Sequence, residues 1–122
     1  MRFTLKGNEG DCEVEFDPED TELVQRFSAA VIEMDRLDRE WRDIVRTIPV
    51  RECAERRQET GKKIGKILDE VFDAPISEKV IVYNPIAMDT RTNSPMWLVM
   101  SRLLAEQFKV TPTKRCRRIL RG

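Results

Sequence analysis

The sequence predicts a mainly α fold, in which an N-terminal β-hairpin packs on a small bundle of about three amphipathic helices, the first of them long. Residues 2 to 6 and 12 to 16 alternate apolar and polar side chains. A stripe of apolar residues then repeats at helical spacing over four heptads. Charged residues make up 36% of the chain against 40% hydrophobic, a composition suited to helices with solvated outer faces. A chain of 122 residues is enough for one core and too short for two. Residues 1 to 112 therefore read as a single helical domain, with the hairpin at 1 to 16 and a basic C-terminal tail at 113 to 122.

In the hairpin, Phe3 and Leu5 share one side of the first strand, and Cys12, Val14 and Phe16 share one side of the second. Gly7-Asn8-Glu9-Gly10 supplies the turn. A lone hairpin is marginal in water and must lean on the helix that follows. That helix opens at Asp17-Pro18-Glu19-Asp20, with Asp17 as N-cap, Pro18 at the first helical position and acids facing the positive end of the dipole. Leu23, Phe27, Ala30, Met34, Leu37, Trp41, Ile44 and Ile48 then recur at alternating spacings of four and three, an unbroken heptad stripe. Val24, Val31 and Val45 widen it, while Glu33, Asp35, Arg36, Asp38, Arg39, Arg42 and Asp43 belong on the wet face. Pro49 ends or kinks the helix, giving it some 28 residues and roughly 42 Å.

A second helix is expected from about Arg51 to Phe72, strongest where Ile64, Ile67, Leu68, Val71 and Phe72 share a face. Gly61 and Gly65 either permit close packing there or leave the stretch loose, each costing about 1 kcal/mol relative to alanine. Lys79 to Tyr83 reads as a short strand or buried extended run before Asn84-Pro85 breaks it. A third helix from Pro95 to about Lys109 would turn Trp97, Met100, Leu103, Leu104 and Phe108 inward. Thr111-Pro112-Thr113 then closes it.

The chemistry of catalysis is sparse. The chain has no histidine, so the commonest general base is missing, and no serine or cysteine has a local partner to activate it. Cys12, Cys53 and Cys116 are odd in number and form no C-x-x-C pair, which points to reduced thiols and away from zinc. Gly61-Lys62-Lys63-Ile64-Gly65 lacks the spacing and the hydroxyl of a phosphate loop. No catalytic residue, metal or cofactor is expected, nor any membrane span, since every uncharged run falls far short of about 20 residues. The start lacks the features of a secretory signal, so a cytoplasmic protein is expected.

Interaction is the remaining role, and two features suggest how. An amphipathic helix in a small domain more often covers that domain's own core, but this stripe is long enough that part of it should outrun what the rest of the chain can cover, which offers Phe27, Met34, Leu37, Trp41 and Ile44 for self-association or a helical partner. The net charge is zero but polarised. Arg2 and Lys6 stand among eight acids in residues 1 to 22, while Lys109 to Gly122 carries six basic residues and no acid. Lys114, Arg115, Arg117, Arg118 and Arg121 could make electrostatic contacts. Nucleic acid is not the favoured partner, because this segment holds no aromatic residue for base stacking.

Ile67-Leu68-Asp69-Glu70-Val71-Phe72-Asp73-Ala74-Pro75-Ile76-Ser77-Glu78-Lys79-Val80, then Tyr83-Asn84-Pro85 and Ser94-Pro95-Met96-Trp97, resembles in its order of features the small tail assembly chaperones of long-tailed phages and prophages of Gram-positive bacteria. The resemblance covers nearly the whole chain in layout, and departs from the family at Asp73-Ala74-Pro75, where glycines usually stand. It implies a non-enzymatic factor that coats the tape-measure protein, keeps it soluble, helps recruit tail-tube subunits and leaves the finished particle. It also implies that the basic end is the terminus of the shorter of two frameshift products. Two other classes fit the residues: a small phage or mobile-element inhibitor whose acidic start occupies a basic surface of a host defence enzyme, and a nucleic-acid-binding accessory protein that uses the basic end.

Overall fold

Between Phe16 and Leu23 the chain must turn from extended to helical, and two aspartates divide that task. The Oδ1 of Asp17 accepts from the Glu19 amide at 2.9 Å, while Asp20 accepts from the amides of Glu22 and Leu23 at 3.0 and 3.2 Å. Asp20 is therefore the N-cap, three residues later than the expected Asp17, and Pro18 lies in the turn before the helix. This computed structural model describes residues 1–7, 10–81 and 84–122.

The order is β1 (Arg2–Leu5), β2 (Cys12–Glu15), α1 (Thr21–Ile44), α2 (Val50–Phe72), α3 (Ile76–Lys79), β3 (Met88–Asp89), β4 (Ser94–Pro95), α4 (Met96–Ala105) and α5 (Lys114–Arg121). The protein is mainly helical with an N-terminal antiparallel hairpin and a long first helix. In the hairpin Phe3 pairs with Val14 and Leu5 with Cys12, so the apolar positions share one face, as their alternation requires. Asn8 and Glu9 of the expected turn lie outside the described residues.

A four-ring cluster joins the hairpin to the helices. Phe27 of α1 lies 5.8 Å from Phe72 at the end of α2 and 5.0 Å from Phe108, and Phe16 lies 5.6 Å from both Phe72 and Phe108. These four contacts are edge-on, the favoured arrangement of aromatic quadrupoles, and Phe72 and Phe108 stack at 6.2 Å. Because an early residue of α1 meets the last residue of α2, the two helices run antiparallel. The turn between them begins at Val45, before Pro49, so α1 has 24 residues, about 36 Å.

After α2, Asp73 takes a left-handed conformation (φ 49°, ψ 48°) as the C-cap, a position where glycine is the usual occupant. The Asp69 carboxylate then accepts from the Ser77 amide at 2.8 Å and its hydroxyl at 2.6 Å, which fixes the start of α3. The run expected to be extended therefore begins as a helical turn with Val80 and Ile81 buried behind it; Val82 and Tyr83 lie outside the described residues. Gly61 and Gly65 serve close packing. A Cβ on Gly61 would sit 2.1 Å from Asn84 Oδ1, and one on Gly65 would sit 2.9 Å from Ser77 Cβ.

The small β3–β4 ladder, pairing Met88 with Pro95 and Asp89 with Ser94, leads into α4. That helix buries Trp97, Leu98, Met100, Ser101 and Leu104. Leu103, expected inward, is instead 36% exposed, because Leu98 and not Leu103 shares the face of Trp97, Met100 and Leu104.

Residues 113 to 122, expected as a basic tail, instead form a docked helix. Thr113 caps α5 by accepting from the Cys116 amide at 3.3 Å, and its own amide donates to Ser28 Oγ of α1 at 3.2 Å. Cys116 is fully buried, with Ile119 and Leu120 packed against the core. The basic count concealed three apolar positions at helical spacing. Among the described residues no helix is long and apolar enough to cross a membrane.

Candidate protein-binding surface

The heptad stripe of α1 changes character along its length. Phe27 and Met34 have no exposed surface; they belong to the core and cannot meet a partner in the folded protein, which corrects their assignment to an interface. Leu37 and Trp41 are half-buried, each packed on the core by one side. Ile44 is also half-buried but stands outside the core cluster, as do Val45 and Ile48.

The cause lies in the partner helix. The buried residues of α2 begin only at Gly61, and nearly every side chain from Val50 to Glu59 is exposed. The chain from Ile44 at the end of α1 through the first half of α2 thus lies outside the core, with Trp41 at the core's margin. The apolar side chains of this end are Trp41, Ile44, Val45, Ile48 and Val50, the last 88% exposed. Met88 on β3 is 43% exposed and lies beside this end, with its sulfur 3.4 Å from Nη2 of Arg42. Sequence periodicity missed Val50 and Met88 because Val50 stands at the start of α2, far from that helix's apolar repeat, and Met88 lies on a two-residue strand.

The outer face of α1 carries ion pairs along the helix. Arg36 reaches Glu33 at 2.6 Å and Glu40 at 3.0 Å, and Arg39 reaches Asp35 at 2.9 Å. The hydrogen bond from Arg36 holds the Glu33 carboxyl below its ordinary range. These pairs are solvated and add little stability; they keep this face wet and leave the apolar edge as the sticky one. Asp38, expected on the wet face, is buried: it accepts from Trp97 Nε1 at 2.9 Å and from Arg42 Nε at 2.9 Å.

The basic residues divide by the rotation of α5. Lys114, Arg115, Arg118 and Arg121 are exposed and Arg117 is half-buried, so they form a rigid basic helix face. Comparison of the chain with protein-family models, with curated proteins and with solved structures returns no match.

Proposed function

We propose that this protein is a non-enzymatic tail assembly chaperone, which binds and solubilises a tape-measure protein and helps recruit tail-tube subunits. The reading rests on the resemblance of layout, and one structural observation supports it: the apolar stripe of α1 outruns the core, leaving Leu37 and Trp41 half-covered at its margin and Ile44 half-covered beyond it. A long helical client offers a complementary stripe at i, i+3, i+4 spacing. Burying one such side chain on a partner contributes about 1.5 to 3 kcal/mol, so a few suffice for specific binding. The same edge provides for self-association, and the ion-paired face of α1 keeps the complex hydrated.

Co-expression with a tape-measure fragment tests this reading. The fragment alone should be insoluble and should become soluble with the intact protein. A Trp41→Asp, Ile44→Asp double variant should lose that effect while keeping its helical circular dichroism, and sedimentation should find it less associated than the parent. A fragment that stays insoluble beside the parent protein, together with tight salt-sensitive binding of the parent to DNA or RNA, would transfer the function to nucleic acid.

A further inference from the structure

Three guanidiniums, from Arg102 of α4 and from Arg117 and Arg121 of α5, line one cleft of about 340 Å³ whose apolar wall includes Pro112 and Leu120. Among the described residues none of the three forms an ion pair. Glu106 is the one carboxylate lining the cleft, so the site carries a net charge of about +2 from three arginines that are always protonated.

One of these arginines is held in place before any ligand arrives. Arg102 donates from Nε to the Leu120 carbonyl, covering one of the last carbonyls of α5, and from Nη1 to Ser94 Oγ at 3.0 Å. Its Nη2 has no acceptor among the described residues. Arg117 is half-buried, and its Nε is shut off from solvent with no hydrogen-bond partner. An anion in the cleft would supply the missing countercharge to the three guanidiniums that line it.

We propose that the cleft between α4 and α5 binds a phosphate monoester carried on a small apolar body. The charge selects a phosphate: a dianion balances the net +2, and its three terminal oxygens can each meet one guanidinium, whereas one carboxylate has only two oxygens and leaves an arginine unserved. The volume, at the low end of the roughly 300 to 1,000 Å³ usual for ligand sites, selects a small molecule. Pro112 and Leu120 take its apolar part. This site lies outside the α1–α2 surface and its assignment is independent of the client proposed for that surface.

The test is a titration of the ¹⁵N-labelled full chain with phenyl phosphate, followed through the Nε–Hε signals of the arginines. The expected result is a saturable shift of the Arg117 and Arg102 signals, with weaker binding of inorganic phosphate, which lacks the ring, and of benzoate, which lacks the second charge. Arg121→Gln, at an exposed position, should weaken phenyl phosphate roughly tenfold, the loss of about one charge-assisted hydrogen bond. Glu106→Gln should tighten it. An Arg117 signal that does not saturate, benzoate binding as tightly as phenyl phosphate, or unchanged affinity in Arg121→Gln would each overturn the assignment. Because Arg121 does not anchor the core, its variant keeps the test decisive even where Arg117→Gln fails to fold.

Discussion

Asp38 is 4% exposed in the middle of α1, and its oxygens are divided between two elements. One accepts from the Trp97 indole of α4, the other from Arg42 one turn further along α1. Removing the carboxylate leaves the buried Trp97 N–H without an acceptor, a loss of about 1 to 3 kcal/mol. Asp38→Ala should therefore lower the unfolding free energy measured in urea by that much. Trp97→Phe should do so too, and the double variant should cost less than the sum, since each change removes the other's reason to destabilise. Additive effects would mean that the hydrogen bond does not form in solution. Thiols make a second residue-scale prediction. Burial pushes the Cys116 and Cys12 thiols above the ordinary value, outweighing the Ser28 hydrogen bond that lowers Cys116. A folded pKa above the unfolded one means that this contribution is intact below about 8.5, the ordinary thiol value, and is lost as pH rises through the folded value. Stability measured from pH 7 to 10 should fall, and Cys12→Ala, Cys116→Ala should flatten the fall.

At the scale of elements, α2 owes its position to the absence of a side chain. Alanine at Gly61 would gain up to about 1 kcal/mol of helix propensity, but its Cβ would strike the Asn84 carboxamide. That group is held by donation to the Arg57 carbonyl at 3.2 Å and by the Ile86 amide at 3.0 Å. Displacing it forfeits two hydrogen bonds of about 0.5 to 1.5 kcal/mol each. Gly61→Ala should thus destabilise by roughly 1 kcal/mol, and should become stabilising in an Asn84→Ala background, where the obstructing atoms are gone. The same sign in both backgrounds would refute the close approach.

Elements also set what could be read from the sequence. The hairpin and the second half of α2 were legible because alternation and a 3.6-residue period are local signals. The stripe of α1 was legible as a helix but not as core or surface, since where Phe27 ends and Ile44 begins to be exposed depends on how far α2 buries itself. The burial of Asp38 depends on Trp97, 59 residues away. The start of α3 rests on Asp69 of another helix, and the pairing of Arg102 with Arg117 and Arg121 appears only once α5 docks.

For the whole molecule the decisive element is α5, because the charge that suggested a detached tail and the packing that contradicts it lie on opposite sides of one helix. Cys116 is fully buried, and Ile119 and Leu120 pack on the core. At about 1.5 to 3 kcal/mol for a fully buried side chain and less for the partly covered pair, removing residues 113 to 122 should cost several kcal/mol, a large share of the 5 to 15 typical of such domains. The Thr113 amide bond to Ser28 would go with it. The truncated chain should melt earlier and less cooperatively, so its loss of any binding activity would report unfolding and not charge. Neutralising Lys114, Arg115 and Arg118 to Gln separates the two, since these exposed positions should change stability by less than about 0.5 kcal/mol each. If the truncation instead melts with the parent protein, α5 is not part of the core; if it melts as predicted and the neutralised variant melts equally early, the basic face and not the buried side chains holds α5 in place.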